Sequence, residues 1–143
     1  DSSSDYELLD QHNYSIPGHG HSTVEPCDIL TKDKKLIHVK KGGSSSKLSH
    51  LFAQGLVSAK LLSNDNGFKN HINDKVRSKF GENFLEALSM NSDFEIVYAI
   101  IDPKDKDLVE VIPFFSLVNL SKTFDELDSM NYNYSLMKID VVD

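Results

Sequence analysis

The stretch "DKKLIHVKKGGSSSKLSHLFAQG", Asp33 to Gly55, decides how this chain is read. Its first part, KLIHVKK, has the period of a strand, so successive side chains point to opposite faces. Ile37 and Val39 fall on one face, the expected core side, and His38 and Lys40 on the other. Two glycines break the strand, and the serines after them supply an N-cap for a helix. In KLSHLFAQGLVSAKLLS, the residues Leu48, Leu51, Phe52, Leu56, Ala59 and Leu62 recur at helical spacing and predict a buried stripe. His50 and Gln54, four apart, share another side of that helix. An imidazole and an ammonium therefore stand together on a strand, just before a tight turn into a helix.

Upstream, residues 1–5 are polar and expected to fray. YELLDQHNYSI reads as strand-like up to Pro17, PGHGHS as a loop, and TVEPCDILT as a strand with an edge or bulge at Pro26. Downstream, GFKNHINDKVRSKF spaces Phe68, Ile72, Val76 and Phe80 by four, as an amphipathic helix does. ENFLEALSM predicts a short third helix. FEIVYAIID is almost wholly apolar, as expected of a strand covered on both faces, and Asp102–Asp107 then reads as a solvated turn. PFFSLVNLSKTFDELDSMN returns to helix between a proline start and an asparagine stop, and YSLMKIDVV closes as a strand. This order predicts an α/β fold, a mixed sheet with helices on its faces.

The 143 residues suffice for one domain with a real core, taken as 1–143. Apolar residues at 39% and charged residues at 26% argue against disorder. No apolar run reaches the length of a membrane helix, so no membrane partner is expected. The single cysteine, Cys27, has no internal partner, and a reducing cytoplasm is the simplest compartment. The missing initiator methionine suggests a processed, tagged or excised piece of a longer protein. A net charge of −7 gives little general steering toward DNA or RNA. Lys32–Lys41 nonetheless holds five lysines and one acid, so a local basic site is permitted.

If the turn between the two strands spans Lys32–Lys34, Asp28 falls directly opposite His38. Paired residues share a face with Cβ atoms about 5 Å apart. Lys40 lies two residues on, so Asp28, His38 and Lys40 converge, with Cys27 turned to the core. A one-residue change in the turn would destroy this convergence.

An acid on one strand, a short motif ending in lysine on the next, then a helix: this resembles the PD-(D/E)xK nuclease-like fold. The resemblance implies a divalent ion, Mg²⁺ or Mn²⁺, held by Asp28 and His38, with Lys40 polarising the attacking water and Gln54 near the site. His38 stands where that motif has a second acid, and histidine is a poor Mg²⁺ ligand. Glu25, three residues from Asp28, would reach the site only through a bulge at Pro26. Residues 24–62 also resemble the shared block of a bacterial family of "sporadically distributed" proteins. That match covers Glu25, Cys27, Asp28, Ile37–Lys40, Gly42–Ser45 and Leu48–Gly55. The resemblance implies a C-terminal fragment of a longer protein, with the N-terminal part as a partner, and patchy distribution implies mobile or phage-defence genes; it supplies no established activity.

The expectation is a metal-dependent nuclease-like domain that cleaves or binds DNA or RNA. Asp28, His38 and Lys40 would be catalytic, and Lys41, Ser44, Ser45, His50 and Gln54 substrate-binding. The alternative is a non-enzymatic binding or assembly module of a defence-associated protein. Plainer readings stand beside each motif. Asp28, His38 and Lys40 also suit a solvent-facing hairpin with a cross-strand ion pair, and GGSSS a flexible loop with a helix cap. His50 and Gln54 also suit polar packing. His19 and His21 are weak metal ligands on a loop, and Cys27 is a buried, inert thiol.

Overall fold

The computed structural model describes residues 5–9, 12–18, 22–86, 88–102 and 107–140. His19, His21 and residues 103–106 lie outside these. In chain order the elements are β1 (Tyr6–Leu8), β2 (Tyr14–Ser15), β3 (Thr23–Val24), β4 (Ile29–Thr31), β5 (Lys35–Lys41), α1 (Ser45–Asn64) and α2 (Asn66–Phe80). Then follow β6 (Glu95–Ile101), α3 (Leu108–Val111), α4 (Phe114–Ser129) and β7 (Asn133–Ile139). A five-stranded mixed sheet runs in the order β1-β4-β5-β6-β7. Strands β1, β4 and β5 are antiparallel neighbours, and β5, β6 and β7 are parallel. Strands β2 and β3 form a separate hairpin.

The turn between β4 and β5 has the expected length. Lys34 takes a left-handed φ of 67°, and its N–H donates to the Thr31 carbonyl. The register is Ile29 against Ile37 and Leu30 against Leu36, the offset the sequence predicts, and the regular pairing ends there: the Asp28 N–H donates to the Ile37 carbonyl instead of standing opposite His38. Helix α4 starts after Pro113 and stops before Asn131, whose φ of 67° a helix cannot accommodate.

Two strands are shorter than their patterns suggest. TVEPCDILT breaks between β3 and β4, where Pro26 has no N–H to give a ladder. YELLDQHNYSI likewise yields only β1 and β2. The expected helix over 82–90 is absent among the described residues. The Asn73 side chain instead takes both backbone groups of Leu85, at 2.9 and 2.7 Å, and Asn83 has a left-handed φ of 59°. That local competition holds the segment irregular while burying Leu85.

One apolar cluster unites all four helices with one face of the sheet. It contains Leu30, Leu36, Ile96, Tyr98 and Ile100, together with Leu48, Phe52, Ile72, Val76, Ile112, Leu120 and Leu127. At its centre the Tyr98 hydroxyl donates to the Phe52 carbonyl at 2.7 Å. Gly55 makes room for it, since a Cβ there would stand 2.6 Å from Tyr98 Cε1. Each such buried side chain contributes about 1.5–3 kcal/mol.

The opposite face carries Ile29, Ile37, Val39 and Ile101, all half-buried, and the exposed Met137. None of these belongs to the core cluster. Val97 and Ala99 on this same face are buried, at 4% and 0% exposure, between Ile37 and Val39 on one side and Ser135 and Met137 on the other, though neither belongs to the core cluster. The topology explains the asymmetry. The crossovers from β5 to β6 to β7 step in one direction, and crossovers of one hand then place every helix on one face. Helices on both faces, as the sequence pattern suggests, would need a reversal of strand order.

Candidate functional site

The end of the β4–β5 hairpin holds the three motif residues close along the chain but gives them three environments. Asp28 sits just before β4, and its N–H donates to the Ile37 carbonyl at 3.0 Å. Its Oδ2 accepts from the Val39 N–H at 2.7 Å. The carboxylate thus closes the ladder where the short strand β4 has run out of backbone partners. This is charge-assisted hydrogen bonding, worth more than a neutral bond.

His38 falls on the face of Leu36, beneath the helices, with 3% of its surface exposed. Its ring centroid lies 5.9 Å from that of Tyr98, its register partner on β6. This corrects the expected orientation of β5: the face of Leu36 and His38 is the core side, and that of Ile37 and Val39 is the open one. Burial pulls the His38 pKa down to about 4, so the imidazole is neutral at pH 7. Its Nε2 finds no hydrogen-bond partner among the described residues. Lys40, two residues on, reaches solvent, as does Lys41.

A divalent ion does not fit this arrangement. Among the described residues no three His, Cys, Asp or Glu side chains gather as a ligand set. Mg²⁺ and Mn²⁺ favour several oxygen ligands in the open. Asp28 spends one oxygen on the Val39 amide, and His38 lies in the core. Cys27 is buried as expected, and burial, with the Asp28 carboxylate nearby, pushes its thiol well above the ordinary range.

After β5 the chain turns sharply at Gly42, whose N–H donates to the Ile101 carbonyl at 2.8 Å. A Cβ at Gly42 would stand 2.8 Å from Asp102 Oδ2, so a larger residue there would have to displace that carboxylate. Ser44 is the N-cap of α1: its Oγ accepts from the Lys47 N–H at 3.5 Å and lies 3.1 Å from the Ser46 hydroxyl. Ser45 opens the helix. Lys40, Lys41 and Lys47 are all exposed around this loop. They stand at the carboxyl end of the parallel strands, where open α/β sheets bind ligands. Lys47 is absent from the residues singled out by sequence. Its place three residues after the N-cap is the signal that could have found it.

His50 and Gln54 belong elsewhere. Positions 50, 53, 54 and 57 form a second stripe of α1, with the spacing i, i+3, i+4, i+7. This stripe meets the β2–β3 hairpin across a cleft of about 460 Å³, lined also by Ile16, Val24 and Glu25. Asp28, His38 and Lys40 are not among its walls. The cleft is a site the sequence half disclosed: the pair at 50 and 54 was visible, whereas the hairpin opposite was not. A larger groove, about 600 Å³, runs along α2 past Asn70, His71 and Glu82. It includes none of the candidate residues, and its Asp74 and Arg77 are paired with each other at 2.6 Å.

No described helix is long and apolar enough to cross a membrane. A family model described as a family of unknown function (DUF6119) matches residues 1–140. No curated protein and no solved structure matches.

Proposed function

The chain belongs to the DUF6119 family of unknown function, and we propose that it is a nucleic-acid-binding domain on a PD-(D/E)xK-like scaffold without the metal half of that motif. The observation that carries this reading is the placement of His38. In the motif's second acidic position stands a neutral imidazole, buried against Tyr98. The remaining acid, Asp28, holds the Val39 amide. The solvent-facing cations at the end of β5 are Lys40 and Lys41, with Lys47 beside the N-cap serine of α1, while Asp102 and Asp140 follow β6 and β7. Ammonium groups and helix-start N–H groups hold phosphate oxygens without cleaving the ester. The order of antiparallel hairpin, helix and parallel strand supports the scaffold assignment. A local lysine cluster also reconciles phosphate binding with a net charge of −7.

The test measures binding of labelled single-stranded DNA, duplex DNA and RNA over a salt series, with cleavage assayed in Mg²⁺ and Mn²⁺. Binding without cleavage is expected. Replacing Lys40 and Lys41 by alanine should flatten the salt dependence by about one unit for each phosphate no longer neutralised. Cleavage that disappears in Asp28→Asn would overturn the loss of metal and restore the phosphodiesterase. Absence of binding to all three probes would sink the nucleic-acid reading.

The open sheet face favours a second reading, an assembly module that docks another part of a longer protein. Ile29, Ile37, Val39 and Ile101 would then be the contact surface. Under that reading Ile37→Glu would abolish the association and leave nucleic-acid binding unchanged.

A further inference from the structure

The cleft between the β2–β3 hairpin and α1 is a built feature. Its hairpin wall is strapped to the helices at two points. The Tyr14 hydroxyl on β2 donates to Asp65 Oδ2 at 2.8 Å, and the Tyr14 ring meets Phe68 edge-on at 5.3 Å. Next to β3, the Glu25 carbonyl accepts from the Ser58 hydroxyl of α1 at 3.3 Å. A wall fixed in this way presents its side chains in one geometry and loses little entropy when a ligand arrives.

The lining identifies the kind of ligand. Val24, Ile16 and Val57 give apolar walls, and Val57 stays 39% exposed although it is a large aliphatic residue. Gln54 and His50 of α1 add hydrogen-bonding groups to the lining, as do Asn13 and Thr23 on the hairpin side, and Glu25 adds an acid. No lysine or arginine lines the cleft among the described residues, so it is not a second phosphate site. A purely apolar ligand would strip water from Gln54 and His50 and return no hydrogen bonds, which disfavours it. A flat ring with apolar faces and a donor–acceptor edge satisfies both kinds of surface. Carboxamides read the amine and ring nitrogen of adenine, and carboxylates accept from the amine of cytosine.

We infer that this cleft binds one unstacked, amine-bearing nucleobase, adenine or cytosine, of a single-stranded nucleic acid. The inference rests on the nucleic-acid reading above and gives the two sites separate tasks. The lysines around the Gly42–Ser44 loop hold backbone, and the cleft selects base. Single-strand recognition commonly divides its labour this way, with bases splayed out and read on their edges.

Two measurements separate the failure of this inference from the failure of the reading beneath it. The first follows the His50 ring signals by NMR while adenosine, cytidine, thymidine or ribose 5-phosphate is added. Shifts with the first two, and not with the last two, are expected. The second compares 12-mers of dA and dT, and a duplex, on the parent, Val57→Trp and Gln54→Leu proteins, each confirmed folded by circular dichroism. Val57→Trp fills the cleft and should weaken single-strand binding about tenfold while leaving duplex binding in place. Gln54→Leu should erase the preference for dA over dT. Single-strand binding unchanged by Val57→Trp would overturn the cleft assignment and leave the lysine site standing. If no oligonucleotide binds the parent, the nucleic-acid reading falls, and the nucleoside titration alone decides the cleft: no shift at His50 overturns it.

Discussion

The two faces of the sheet use similar residues and meet different fates. Under the helices, Leu36, Ile96, Tyr98 and Ile100 are sealed into the core, and His38 with them. On the other side Ile29, Ile37, Val39 and Ile101 remain half-buried and meet no helix of the core cluster. Hydrophobicity does not distinguish the two sets, since β5 contributes Leu36 to one and Ile37 and Val39 to the other. The path of the chain does. Successive crossovers in one direction cover one face, and whatever alternates onto it is buried, imidazole included.

The sharpest way to break this contrast is at Gly55. A methyl group there collides with the Tyr98 hydroxyl and ring, so Gly55→Ala should cost upwards of about 3 kcal/mol in urea unfolding. Adding Tyr98→Phe removes the closest atom and should recover part of the loss. If Gly55→Ala alone is neutral, α1 does not lie on Tyr98 as described. Next in size, Leu36→Ala should cost about 3 kcal/mol, whereas Ile37→Ala, one position away on the open face, should cost about 1 kcal/mol. Equal losses would mean that both faces are covered.

The buried His38 supplies a contrast in pH. Its pKa falls from the ordinary 6.5 to about 4 on folding. Between these values the unfolded chain binds the proton and the native one does not, so stability is full above pH 6.5 and drains as the pH falls toward 4. By about pH 5 the loss from this group alone is about 2 kcal/mol. His38→Leu should flatten that limb and leave stability at neutral pH equal or higher, because it removes a buried nitrogen without a partner among the described residues. An unaltered acid limb in His38→Leu would place the histidine in solvent. The smallest effect is expected at Ile37→Lys, below about 1 kcal/mol if that face is open in the isolated chain.

Much of this architecture was legible. The β4–β5 register followed from counting residues across the Lys32–Lys34 turn, and the limits of α4 from Pro113 and Asn131. The buried stripe of α1 was plain from its spacing. The inward face of β5 was not, because a period of two is symmetrical and only the crossovers break the tie. Nor was the role of Asp28: a carboxylate that bonds a backbone amide looks in sequence like one available to a metal. The separation of His50 and Gln54 from Lys40 was hidden for another reason. Their cleft needs β2 and β3, strands of two residues each, too short to leave an alternating pattern.

The one-way path of the chain has an electrical consequence. Helices α1 and α4 each run back against the parallel strands, so both begin at the same edge of the sheet, beside the ends of β5, β6 and β7. Their peptide dipoles add there, each worth about half a positive charge at the helix start. Lys40, Lys41 and Lys47 stand at that edge too, while Asp102 and Asp140 follow β6 and β7, so ammonium groups, two helix starts and carboxylates alternate there. An approaching polyanion thus meets local positive ends in a molecule whose total charge is −7.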